Sequence, residues 1–452
     1  MYVLGLSFGF HDSSVALLKN NQVLFASLEE RFTRKKHDNS FPIHAIEHSL
    51  KKENIDISDV DKIIYYEDNL LKLDRILKYS TPDSLRQALD SWIYNDKINV
   101  PLLISKKLNI PIDKIEIINH HLSHAAAAYY LSGFDSASVV IIDAVGEYET
   151  ISIYKGYNNK LTKMYSQVLP HSIGLFYSAF TSFLGFEVND GEYKVMGMAS
   201  YGKPIYIDKV LKTILDDGEI NSFMINDEYF NFLHPDKLLF KEKFTELFGQ
   251  SREMNSDFFV SLDEAKGKSR KNLVKNIYFA DVAASLQKVT ETLIKNLVRK
   301  SVMLTGSNNI CMAGGVALNS VSNGKIRKKF TNLFIPPESG DGGSSLGAAL
   351  YYCNKLDKIR SNREQDTVFW GREYSSREII SDIEKNIFKE KVEKYDTLTE
   401  FLNKVSDLLI SQKVIGWFNG KCEWGPRALG ARSIIADPRS DNIQLIINEK
   451  IK

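Results

Sequence analysis

SVVIIDAVGEYETISIYKG, residues 138–156, is the stretch on which the fold turns. An apolar, β-branched run ends on Asp143, a short loop carrying Gly146 follows, and a second apolar run leads away. That is strand, turn, strand. The same form stands at the start of the chain. YVLGLSF (2–8) is apolar and β-rich, GFHDS (9–13) is a short polar turn, and SVALLKNNQVLFASLEE (14–30) reads as two strands around an Asn-Asn turn. The repeat is one of form, not of letters.

Glycine in such turns permits close backbone approach, and successive N–H groups cradle an anion. Two strand–turn–strand units, each offering a turn to phosphates, are how actin-like ATPases are built. Helical segments are expected between the units at 43–53, 70–78 and 83–93. HSIGLFYSAFTSFLGFEV (171–188) reads as a largely buried helix, VNDGEYKVMGMASYGKP (188–204) as a glycine-bearing loop, and 278–304 as a long amphipathic helix. Residues 218–275 are charged and irregular, and fit either an inserted subdomain or a solvated excursion.

With 452 residues the chain is long enough for two or three domains and a large core. Its 58 Lys and Arg balance 57 Asp and Glu, so no broad nucleic-acid footprint is expected. Three cysteines, Cys311, Cys353 and Cys422, are far apart and form no CxxC pair, which points to a reducing cytoplasm. No signal peptide and no apolar run of membrane-spanning length is read, so no membrane partner is expected.

Immediately before the second unit stands NHHLSHAAAAYY (119–130). The alanine run favours helix, which puts His120 and His124, four apart, on one face. By itself the pair fits either a divalent-metal site or a polar helix face. Asp143 ends the strand that follows, and Asp341 lies in a glycine-rich loop far down the chain. Two imidazoles and a carboxylate with open positions suit iron(II) or a similar divalent ion.

Downstream, NICMAGGVALNS (309–320) reads strand, Gly-Gly turn, helix start. Gly314 and Gly315 there would face a nucleotide or simply permit tight packing. PPESGDGGSSLGAAL (336–350) repeats the arrangement, and neither loop has a Walker A or Rossmann pattern. Polar residues 357–366 make a linker. A smaller α/β unit is expected over 367–452: strand TVFW, helix 376–387, strand EKYD, helix 397–411, strand KVIGWF (413–418), then CEWGPRALGARSIIADPR (422–439).

Eight segments in order carry a resemblance over nearly the whole chain. They are LGLSFGFHDSSVALL (4–18), EERFTRKKHD (29–38), HHLSHAAAAYY (120–130), DAVGEYET (143–150), GEYKVMGMASYGKP (191–204), AGGVALN (313–319), GDGGSSLGAAL (340–350) and EWGPRALGARSIIADPR (423–439). They resemble the NodU/CmcH-type O-carbamoyltransferases. The resemblance implies an α/β chain with a large actin-like ATPase domain (ribonuclease-H-like, duplicated), related to the tRNA threonylcarbamoyl-transferase subunit. It covers 1–356, with the insertion at about 205–275. A YrdC-like domain would follow at 367–452, represented by its N-terminal part only.

The implied activity moves a carbamoyl group from carbamoyl phosphate, through a carbamoyl-adenylate made with ATP, to a hydroxyl of a sugar or secondary metabolite. His120, His124 and Asp341 match the metal ligands. His11 and Asp143 match residues beside the acceptor and the carbamoyl group. An imidazole near pKa 6.5 suits neutral-pH base work better than a carboxylate near 3.9, so His11 is read as base and Asp143 as an orienting or metal-side carboxylate. Gly146, Gly314, Gly315 and Asn319 match nucleotide-contacting loops, Lys194 would sit near phosphates or position its loop, and Lys36 matches a lysine that reaches the carbamoyl-phosphate region. Arg427, Arg432 and Lys452 match anion-binding residues of the small domain, where a guanidinium fork suits phosphate oxygens. Ala144 replaces the family's usual glycine. A homodimer is compatible with the resemblance. The competing readings are a tRNA threonylcarbamoyl-transferase-like enzyme and a truncated, non-catalytic nucleotide-binding paralogue.

Overall fold

The computed structural model describes residues 1–94, 97–215, 223–234, 238–261, 270–356, 367–385, 392–440, 443 and 446–447. The linker at 357–366 and Lys452 lie outside the described residues.

The first unit folds as β1 (Tyr2–Ser7), β2 (Ser14–Lys19) and β3 (Gln22–Leu28), antiparallel in sequence. Asn20 and Asn21 turn the β2–β3 hairpin at φ 47° and 68°, the left-handed pair that two-residue hairpins require. β4 (Lys62–Tyr65) adds parallel to β1, and β5 (Ile115–Ile117) parallel to β4. The second unit begins as β6 (Ser136–Ile142), β7 (Glu149–Tyr157) and β8 (Lys160–Val168). Two-residue strands β9 (Ile214–Leu215) and β10 (Met224–Ile225) pair with each other. β11 (Ile310–Ala313) then adds parallel to β6, and β12 (Leu333–Phe334) parallel to β11. The strand orders are β3-β2-β1-β4-β5 and β8-β7-β6-β11-β12. One five-stranded topology therefore occurs twice, which is the duplicated ribonuclease-H-like architecture of actin-like ATPases.

Two helices join the halves. His120–Leu131 packs on the second sheet, Ser344–Leu356 on the first, and the two pack on each other. They meet backbone to backbone. A Cβ on Gly347 would lie 1.9 Å from the Ser123 carbonyl oxygen, and one on Gly5 1.8 Å from that of Ser345. No side chain fits at either contact, so both crossings depend on glycine.

Phenylalanines dominate the core of the second half. On the helix Ile173–Phe183, Phe180 and Phe183 pack edge-on against Phe244, Phe180 also against Phe248, and Phe176 against Phe223 and Phe230. Each buried ring contributes about 1.5–3 kcal/mol. Phe223, Phe230, Phe232, Phe240 and Phe259 are buried too, so the described part of 205–275 is packed rather than solvated.

Three expectations are corrected. The glycine-bearing stretch after 188 forms a helix over Glu192–Ala199, because Val195 and Met198 bury beside the long helix Arg270–Thr305. That burial outweighs the roughly 1 kcal/mol cost of its interior glycine. TVFW and EKYD join no sheet. Instead Trp370 and Trp424 are buried in the core of the first half, tied by Ala26 N–H donating to Trp370 O (3.3 Å) and Trp424 N–H to Val368 O (2.8 Å). Beyond them lie the helices Ser376–Lys385 and Leu398–Ile410, and the antiparallel pair β13 (Ile415–Phe418) and β14 (Arg432–Ile435). Among the described residues, no helix is long and apolar enough to cross a membrane.

Candidate active site

The histidine helix starts at the floor of the cleft, where the backbone N–H of His120 donates to Glu147 Oε1 at 2.8 Å. The four-residue spacing brings His120 Nε2 and His124 Nε2 to 3.0 Å. Asp143, at the end of β6, places Oδ2 3.0 Å from His120 Nε2 and 3.6 Å from His124 Nε2. Asp341, in the turn before the helix Ser344–Leu356, places Oδ1 3.4 Å from each. One ligand atom from each of these four buried residues lies within 4.8 Å of all the others. Asp143 also accepts through Oδ1 from Ala144 N–H (2.8 Å) and Gly315 N–H (3.2 Å), tying the two loops that flank the cleft.

Two facing ring nitrogens and two carboxylate oxygens fit a divalent cation. The electrostatics agree. Burial would lower the histidine pKa values, yet Asp341 and Asp143 raise His120 well above its ordinary value and raise His124 as well. Burial would raise the two carboxylates, yet the histidines hold both well below the usual range. In the protein alone the neighbouring carboxylates therefore favour the protonated form of these imidazoles. Cation uptake must displace those protons, so apparent affinity should rise with pH through neutrality. Titration calorimetry in buffers of different ionisation enthalpy should show release of about one proton or more per ion. Release of none would rule out this ligand set.

A cavity of about 1640 Å³ opens onto the cluster. His11, Lys36, Asp143, Gly315, Asn319, Asp341 and Arg427 line it, so these sequence-selected residues are brought together. Arg427 reaches in far enough to donate to Leu318 O at 3.0 Å. Lys36 pairs with Asp190 on the wall. The other sequence-selected residues sit elsewhere. Gly146 abuts the His120 ring, 3.1 Å from where its Cβ would be, and so lets that ring pack close. Gly314, at φ 89°, lets Ile142 O approach to 2.3 Å of its missing Cβ, a packing role. Lys194 lies 3.9 Å from Asp190, outside the lining. Arg432 stacks over Phe418 at 3.5 Å and donates to Asn419 O, Ala431 O and Gly420 O, so its guanidinium holds a loop rather than facing the cavity.

Sequence reading missed three carboxylates. Asp12 bonds His11 (2.8 Å). Glu338, buried on the cavity wall, is pushed up to about 8 by burial and by Asp12 and Asp341. Glu423 Oε1 accepts from Leu429, Ala431 and Arg432 N–H at 2.9, 2.8 and 3.0 Å, and so shapes the loop that delivers Arg427. Burial would raise Glu423, but those N–H groups hold it at about 2. Its contribution is present above the unfolded carboxylate pKa near 4.3 and is lost as pH falls toward 2. Glu423→Gln should weaken the loop by about 1–3 kcal/mol. Faster limited proteolysis within 422–439 would register the loss, and unchanged protection would count against it.

Residues 2–350 match the family model described as carbamoyltransferase N-terminus, and residues 406–452 the one described as carbamoyltransferase C-terminus. The chain belongs to the carbamoyltransferase family, a family of enzymes. An uncharacterized Synechocystis protein, sll1178, is 38% identical over 470 positions, covering 100% of this chain and 73% of that protein. Nodulation protein NolNO of Sinorhizobium fredii is 29% identical, covering 97% of this chain and 61% of that one. Among solved structures, HypF of T. kodakarensis is 15% identical with a TM-score of 0.40, covering 79% of this chain and 49% of that one. Component A of the Acidaminococcus fermentans (R)-2-hydroxyglutaryl-CoA dehydratase is 15% identical with a TM-score of 0.38, covering 78% and 98%. At those scores the likeness adds nothing to the topology already described.

Proposed function

We propose that this chain carries the transfer centre of an O-carbamoyltransferase that uses carbamoyl phosphate and ATP, forms a carbamoyl-adenylate, and passes the carbamoyl group to a hydroxyl of a sugar or secondary metabolite. The observation that carries this reading is the convergence of His11, Lys36, Arg427 and the His120–His124–Asp143–Asp341 cluster on one cavity. Family membership supports carbamoyl transfer.

A divalent cation, iron(II) by its donor set, would be held by His120, His124, Asp143 and Asp341 and would supply positive charge beside nucleotide phosphate oxygens, an effect worth several kcal/mol. Gly315 and Asn319, on the cavity wall, would face the nucleotide. Lys36 and Arg427 supply cationic donors for carbamoyl-phosphate oxygens. His11 Nε2, on the acceptor side, takes the hydroxyl proton as that oxygen attacks the carbamoyl carbon and AMP leaves. Burial would lower the His11 pKa, but Asp341, Asp12 and Asp143 raise it to about 9 in the protein alone. Neutralising Asp341 and Asp143 in the loaded protein would remove two of these three causes and lower the ring's pKa, which favours its action as a base. No disulfide joins Cys311, Cys353 and Cys422, which suits a reducing cytoplasmic setting.

The test is pyrophosphate release and acceptor carbamoylation, measured with ATP and carbamoyl phosphate together and with each omitted. Both products should need both substrates. Carbamoyl transfer without ATP would overturn the adenylate route.

A further inference from the structure

We propose that Asp12 is the positioning carboxylate of His11 and that His37 locks Asp12 in place. This assignment rests on the proposed carbamoyl-transfer reading, in which His11 receives the acceptor proton.

One carboxylate bridges two imidazoles here. Asp12 Oδ2 lies 2.8 Å from His11 Nδ1, and Asp12 Oδ1 lies 2.8 Å from His37 Nδ1. A carboxylate only accepts, so each ring presents an Nδ1 proton to it. That leaves His11 Nε2 as the atom turned to the cavity, 3.6 Å from Asp341 Oδ2, too far for a hydrogen bond. Base, orienting carboxylate and free far nitrogen are the arrangement by which a histidine is held in one tautomer and one direction. Asp143, read from the sequence as an orienting or metal-side carboxylate, does not touch Nδ1 of His11. Asp12 does.

The chain continues outward. His37 Nε2 lies 3.2 Å from Asp190 Oδ1, and the same oxygen pairs with Lys36. The acceptor-side imidazole is thereby joined to the carbamoyl-phosphate-side lysine through Asp12, His37 and Asp190. Backbone conformation marks the same two links. Asp12 and His37 both hold left-handed φ, at 53° and 54°. Such conformations persist in non-glycine residues where surrounding contacts impose them, commonly at functional sites.

Asp12→Asn is the decisive variant, because asparagine tolerates left-handed φ and keeps the shape. An amide accepts through only one of its two terminal atoms, so it cannot bridge two Nδ1 protons. In the full chain, kcat for acceptor carbamoylation should fall about 100-fold or more, the range a positioned base contributes. Acceptor KM and the first-turnover burst of pyrophosphate should stay near wild type. His37→Asn should lower kcat less, and Asp12→Glu should recover part of the loss. Proton NMR of wild type should show two downfield ring N–H signals, from His11 and His37, and Asp12→Asn should remove at least one. Two unchanged signals in Asp12→Asn, or a first-turnover pyrophosphate burst that falls with transfer, would overturn the assignment. A wild-type chain that neither releases pyrophosphate nor carbamoylates would instead refute the functional reading, while the NMR signals would still test the bridge.

Discussion

His124→Ala should strip the chain of its divalent cation and lower carbamoyl transfer by about a thousandfold or more. Several kcal/mol of charge stabilisation depend on the ion, and each 1.36 kcal/mol is tenfold in rate. His124 offers its Nε2 3.4 Å from Asp341 and 3.0 Å from His120, so it closes the donor set rather than standing at its edge. Alanine continues the existing Ala125–Ala128 run, the best helix former, so the helix should persist. His120 remains as a counter-charge for Asp143 and Asp341, so the carboxylates are not stranded. Metal content by elemental analysis, together with circular dichroism, should show a folded chain without its ion. A folded His124→Ala protein with full metal and full activity would refute the ligand assignment.

Gly347→Val should be among the most disruptive changes of a small residue among the described residues. Its Cβ would stand 1.9 Å from the Ser123 carbonyl oxygen and 3.1 Å from Ala127 N, both backbone atoms of the histidine helix. Backbone cannot swing aside as a flexible side chain does, so the helices His120–Leu131 and Ser344–Leu356 must separate. Overpacking a dense core costs about 1–3 kcal/mol, and valine adds two branches to that. An expected loss above about 3 kcal/mol is a large part of a typical folding free energy. The same separation moves His124 away from Asp341, because each helix carries or follows one of them. Denaturant unfolding and metal affinity should therefore weaken together. Near-wild-type stability would show that the helices slide without cost.

The two strand–turn–strand units were legible because period and turn chemistry are local. Asn20 and Asn21 mark their hairpin by residue type alone, and the helices at 43–53 and 120–131 follow from spacing and propensity. The helix Glu192–Ala199 was not legible, since its stability comes from Val195 and Met198 packing on a distant helix. TVFW reads as strand by composition, yet its tryptophan is drawn into the core of the first half instead. Phe223, Phe230, Phe240, Phe244 and Phe248 stand at uneven spacing and so make no period, although in space they belong to one aromatic cluster.

For the site, the sequence by itself determined the residue types: two imidazoles on one helix face, a carboxylate closing a strand, another in a glycine turn, and a histidine followed by Asp12. Which of them meet was decided only by the tertiary structure. Asp143 and Asp341 are 198 positions apart, and their approach depends on two helices crossing at Gly347. The same packing set Arg427 into the cavity and turned Arg432 away from it, though both stand in one motif. Local pattern encodes which face a residue occupies. Distance between faces is set by how closely the backbones can pack.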